Sequence, residues 1–163
     1  MKEVNYIIEC LERTPLILQS LLNQIPEGLF KIRRVKHKWS IHEQVCHLVE
    51  AQDILTGRFK QFKNEPFPQI KSYSPPSAEN YYLEMDMNSA LTKFPEIRKG
   101  MVKMLRGFED NYWTLDGEHN LYLPYNTKLL LSHTLNVDYA HLFSIEQLGL
   151  TKLGFEEGII TIP

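Results

Sequence analysis

The chain has 163 residues, enough for one domain that buries about two-thirds of its unfolded surface and too few for two ordinary domains. Hydrophobic residues at 43% and charged residues at 23% exclude a disordered or low-complexity chain, which lacks the apolar surface to drive folding. With 18 basic against 20 acidic residues, no overall positive field exists to hold nucleic acid, and no recognition-helix pattern is present.

Cys10 and Cys46 lie far apart in sequence with no CxxC or CxxH pairing, so they read as small core residues rather than as a zinc knuckle or redox pair. The amino terminus has charges spaced through it and no long apolar run. Neither a signal peptide nor a membrane span is expected, and a cytoplasmic setting follows as the expectation.

Residues 2–25 carry apolar side chains at helical spacing, interrupted where Thr14 can cap and Pro15 can take a first-turn position. One kinked helix, or two end to end, is predicted. Residues 26–38 lose that periodicity and read as a connection with a short helical turn. The basic cluster within them, Lys31, Arg33, Arg34, Lys36, His37 and Lys38, reads as a solvated loop rather than a phosphate-binding patch.

The second helix has the clearest start. Ser40 can cap it while Glu43, three residues on, reaches back to complete a capping box, and Trp39 is placed to pack just outside. Ile41, Val45, Leu48, Leu55, Phe59 and Phe62 then form one apolar stripe, widened by His47, Ala51 and Ile54. Residues 64–77, with four prolines, predict a long loop across one end of the bundle.

A third helix is predicted over residues 78–107, with Tyr82, Met85, Leu91, Phe94, Ile97 and Met101 apolar and Pro95 as a kink site. Its Tyr81, Tyr82, Met85 and Met87 read as core or a dimer face rather than as a pocket lining. Residues 108–126 read as an irregular crossing or a short hairpin. The fourth helix, residues 127–148, puts Leu130, His133, Thr134, Val137, His141, Ser144, Ile145 and Leu148 on one face, with Asp138 on its flank. Residues 1–150 are therefore expected to form an all-α four-helix bundle, with 151–163 a tail on the same domain.

Helical bundles build metal sites from inward-facing side chains on facing helices, commonly His with a carboxylate or second His at i+3 or i+4. Two pairs have that spacing: His47 with Glu50, and Asp138 with His141. His133 lies eight residues before His141, about 12 Å along the helix axis, so at most one of these two histidines binds a given ion. An isolated histidine on an apolar face is more often a hydrogen-bonded core residue than a ligand.

The run KWSIHEQVCHLVEAQ, residues 38–52, resembles the Trp-Ser-x-x-Glu-x-x-x-His-Leu signature of the DinB-like superfamily, which includes YfiT-type metal hydrolases and thiol S-transferases. The run LLLSHTLNVDYAHLFSIEQL, residues 129–148, is similar to that superfamily's closing helix. The resemblance implies a DinB/YfiT-like bundle in which three histidines hold a divalent metal, zinc or nickel. One comes from the His-Leu motif and two from a His-x-x-x-His. Carried over, the first is His47 and the third His141, but the second position holds Val137, which cannot donate to a metal.

The implied triad is incomplete. Asp138, His133 or Glu50 stands in for the missing ligand, or the site has become ordinary core. The expected functions divide accordingly: a metal-dependent hydrolase or thiol S-transferase acting on a small molecule, or a non-catalytic bundle that binds a small molecule or serves as a scaffold. A homodimer is the expected assembly for a bundle of this size.

Overall fold

The computed structural model describes residues 2–74, 76 and 80–152. The apolar stripes become four helices, α1 Lys2–Leu22, α2 Ile41–Asn64, α3 Met87–Arg106 and α4 Thr127–Leu150. A 3-10 turn at Glu27–Leu29 lies in the first connection. Of the tail expected over residues 151–163, residues 153–163 lie outside the described residues.

At three helix starts the reason is local. Ser40 and Glu43 form the full capping box, with the Ser40 Oγ accepting from Glu43 N at 3.3 Å and Ser40 N donating to Glu43 Oε2 at 2.8 Å. Asn126 caps α4 through Leu129 N. Asp86 caps α3 by accepting from Asn88 N and Ser89 N. This last cap corrects the predicted third helix: it starts at Met87, and Tyr81, Tyr82 and Met85 belong to the turn before it.

Helix α1 is a single helix through Pro15 rather than two end to end. Proline has no N–H, so the Leu11 carbonyl loses its usual partner. Arg98 Nη1 replaces it at 3.2 Å, and the Thr14 hydroxyl, 3.0 Å from that carbonyl, shares its one proton with Asp138. Thr14 is buried inside the helix rather than capping it.

Each helix packs against two others, in the cyclic order α1, α3, α2, α4. The apolar core falls into two clusters. One joins the start of α1 (Val4, Ile8, Leu11) with the ends of α2 and α3 and the start of α4. The other joins the end of α1 (Leu18, Leu22) with the starts of α2 and α3 and the end of α4. Helices α1 and α4 therefore run parallel, antiparallel to α2 and α3.

Between the clusters lies a polar layer with one residue from each helix: Thr14, Gln52, Arg98 and Asp138, none more than 1% exposed. Arg98 Nη2 donates to Asp138 Oδ1 at 3.0 Å and to Gln52 Oε1 at 2.6 Å, and lies 2.8 Å from Asp138 Oδ2. The Thr14 hydroxyl is 2.6 Å from Asp138 Oδ2. Burial pushes the Asp138 carboxyl up, while Arg98, Thr14 and Gln52 pull it down. The buried face of α4 is thus rotated from the predicted one: Asp138 sits at its centre and His133 and Val137 on its edge.

One end carries a small sheet, with β2 Asp116–His119 between β1 Gln69–Ile70, parallel to it, and β3 Tyr125–Asn126, antiparallel. Gly117 is required there, since a Cβ would come within 2.9 Å of the Pro68 carbonyl. The β2–β3 pair matches the expected hairpin, and β1 draws the proline-rich loop onto it.

Candidate functional site

The capping box fixes where α2 begins, and His47 follows seven residues after Ser40 on the face turned toward α4. His141, near the end of the antiparallel α4, meets it there. The two rings are nearly buried, at 8% and 7% exposure, and their centres lie 4.9 Å apart with planes inclined at 55°. Trp39 covers both, 4.6 Å from His47 and 6.4 Å from His141 between ring centres.

Each imidazole has one nitrogen committed. His141 Nδ1 is 2.5 Å from Gln44 Oε1. An amide oxygen only accepts, so Nδ1 carries the proton and Nε2 the lone pair. His47 Nδ1 is 2.9 Å from the Tyr82 hydroxyl, which itself donates to Glu50 Oε2 at 2.6 Å. Tyr82 spends its proton on the carboxylate, so His47 donates from Nδ1 and likewise keeps a bare Nε2. Neither Nε2 has a hydrogen-bond partner among the described residues.

Glu50 gathers three tyrosines, accepting also from Tyr73 at 2.9 Å and Tyr81 at 3.0 Å, and Tyr73 and Tyr82 hydroxyls approach to 2.5 Å. Burial pushes the Glu50 carboxyl up, but the hydroxyls of Tyr82, Tyr73 and Tyr81 outweigh it and hold it below the usual range. Burial pushes Tyr73 up to about 12 and Tyr82 higher still. Burial lowers His47 to about 4 against the pull of Glu50, and lowers His141 to about 3 with His47 adding to the effect. Both rings are neutral at pH 7, the state that donates to a metal.

The fit to a metal divides at two ligands. An ion about 2.0–2.1 Å from two imidazole nitrogens at a tetrahedral angle spaces the ring centres roughly 5 Å apart, and the observed separation agrees. The third position does not fit. Val137 packs against the apolar core, and among the described residues no group of three or more His, Cys, Asp or Glu side chains is arranged to hold an ion.

The other predicted residues lie apart from the pair. Asp138 has both oxygens engaged by Arg98, Thr14 and Gln52 in the polar layer. His133 lies toward the sheet end, with Tyr122 5.3 Å away between ring centres. Glu50 reaches His47 only through Tyr82. The partners that orient the rings, Gln44, Tyr73 and Tyr82, had little signal in sequence. Gln44 precedes His47 by three residues and so shares its face, but Tyr73 and Tyr82 arrive from a loop and a turn.

The DinB superfamily model matches residues 11–150, spanning all four helices. This chain belongs to the DinB superfamily. A solved DinB-like structure with the same bundle is YfiT from Bacillus subtilis, described as a probable metal-dependent hydrolase with an unusual four-helix bundle topology. It superposes with a TM-score of 0.73 at 18% identity, covering 90% of this chain and 87% of YfiT. No curated protein matches the sequence. Among the described residues no helix of this DinB protein is long and apolar enough to cross a membrane.

Proposed function

We propose that this DinB protein binds a divalent metal, zinc or nickel, through Nε2 of His47 and His141, and acts on a small-molecule substrate as a hydrolase or thiol S-transferase. The carrying observation is the pair itself: two neutral imidazoles 4.9 Å apart, each with Nδ1 engaged and Nε2 bare. The description of YfiT supports the same reading. A bound ion of this kind supplies Lewis acidity toward water or a thiol.

The chain's own residues prepare that role. Gln44 and Tyr82 fix the tautomers, and Glu50 holds the Tyr82 proton and thereby the His47 orientation, as a carboxylate behind a ligating histidine does. Trp39 limits water over the rings. With Val137 in the third position, His47 and His141 would be two protein ligands in place of three, and a divalent metal would be held more weakly than by three histidines.

Val137 favours a second reading, a non-catalytic bundle that binds a small molecule without metal. Metal titration of untagged protein separates the two, comparing wild type with His47→Ala, His141→Ala and Val137→His. Zinc or nickel binding at one equivalent, lost in both alanine variants and tightened by Val137→His, is expected. Binding gained only in Val137→His would establish the metal-free reading.

A further inference from the structure

A guanidinium removed from water needs a counter-charge or a full set of acceptors. Arg98 has Asp138, Arg33 has Glu43 and Arg106 has Glu12. Arg58 is only 8% exposed, yet has no acidic partner among the described residues. Nη2 donates to the Lys71 carbonyl at 2.8 Å, which occupies one of its five N–H groups.

Among the described residues its neighbours are neutral imidazoles and tyrosines, with no acidic group. The charge of Arg58 adds to burial in lowering both His119 and His133, and His119 in turn lowers His133, so the three groups lie within electrostatic reach of one another. Leu121 N donates to His119 Nδ1 at 3.0 Å. Neutral His119 therefore carries its proton on Nε2 and presents an N–H rather than a lone pair. Tyr122 packs between the two rings, 4.9 Å from His119 and 5.3 Å from His133, with its hydroxyl 3.5 Å from His133 Nδ1. The buried Tyr125 hydroxyl also lies beside Arg58, whose charge and hydrogen bond oppose the upward push of burial on it. Such a set repels a metal ion and lacks one component, a negative charge.

We propose that Arg58, His119, His133 and Tyr122 form a subsite for an oxyanion, the carboxylate or phosphate of a small molecule. Tyr122 is 39% exposed and keeps one side open to solvent. The subsite lies on the same α2–α4 wall as the histidine pair: His133 precedes His141 by eight residues and His47 precedes Arg58 by eleven, or about 12 and 16 Å along a helix. Ala51, Ile54 and Val137 occupy the helical positions between. Where one molecule spans both sites, the substrate of the proposed function carries an anionic group at a distance in that range. This clause rests on that reading, and oxyanion binding does not.

The test is an NMR titration of the histidine ring protons with inorganic phosphate and, separately, succinate. Saturable shifts of His119 and His133 are expected, with both rings titrating at higher pH once the anion is bound. Arg58→Met weakens binding at least tenfold, and His47→Ala leaves it unchanged. A response to phosphate alone assigns phosphorylated ligands, and a response to succinate alone assigns carboxylates. If neither anion moves both histidines in the wild-type protein, the subsite does not exist, whether or not Arg58→Met folds. Undiminished binding by folded Arg58→Met overturns it equally. Absence of zinc and nickel binding in the wild-type protein, with phosphate binding present, would sink the metal reading alone.

Discussion

Asp138→Ala removes the only carboxylate from a layer that keeps Arg98 inside the bundle at 1% exposure. Arg98 would keep Gln52 and the Leu11 carbonyl as acceptors, which satisfy hydrogen bonds but not charge. Removing one partner of such a buried pair costs about 3–5 kcal/mol, a large part of the roughly 5–15 kcal/mol that holds a domain together. At about 2–4 °C per kcal/mol for a domain of this size, the melting temperature falls by about 6–20 °C. Urea denaturation of wild type, Asp138→Ala, Arg98→Met and the double variant measures the coupling directly. The double variant should be more stable than Asp138→Ala, because an uncompensated charge destabilises more than its removal does. A loss below about 1 kcal/mol for Asp138→Ala, the range of an exposed ion pair, would show that the layer is hydrated and the reasoning wrong.

Three further outcomes are expected. With folded values near 4 and 3 against 6.5 unfolded, His47 and His141 leave the native state binding fewer protons than the unfolded chain below pH 6.5. Their contribution is intact above pH 6.5 and declines as pH falls, by up to about 3 kcal/mol per histidine down to pH 4; in EDTA, a His47→Gln/His141→Gln variant with an equally steep acid loss would refute this. Cys46 is fully buried with its thiol pushed up to about 12, so a thiol reagent should label half-buried Cys10 first, and rapid labelling of Cys46 in native protein would contradict the packing. Gly149→Ala places a methyl 2.3 Å from the Ile25 side chain and should cost about 1–3 kcal/mol by overpacking, a cost that Ile25→Val reduces in thermal melts.

Much of the bundle was legible because its signals are local. The Ser40–Glu43 box, the stripe of α2 and the Trp-Ser…His-Leu run are all read within a few turns of chain, and they placed His47 correctly on an inward face. The start of α3 was misread because Tyr82 and Met85 continue an apolar spacing that Asp86 interrupts by capping. The rotation of α4 was misread for a different reason. An aspartate is normally assigned to a surface, and only the arrival of Arg98 from α3 makes the centre of the core available to it. The same blindness hid Tyr73 and Tyr82, whose roles depend on where a loop and a turn return to Glu50.

The sequence by itself determined that four helices form, the inward face of α2, the family and the two histidines at facing positions, since periodicity, capping and motif spacing are properties of neighbouring residues. The tertiary structure alone decided which polar groups meet. It joined Thr14, Gln52, Arg98 and Asp138 into one layer, set Tyr82 between His47 and Glu50, and left Arg58 buried without an acidic partner among the described residues, because charge compensation depends on distances between helices far apart in the chain.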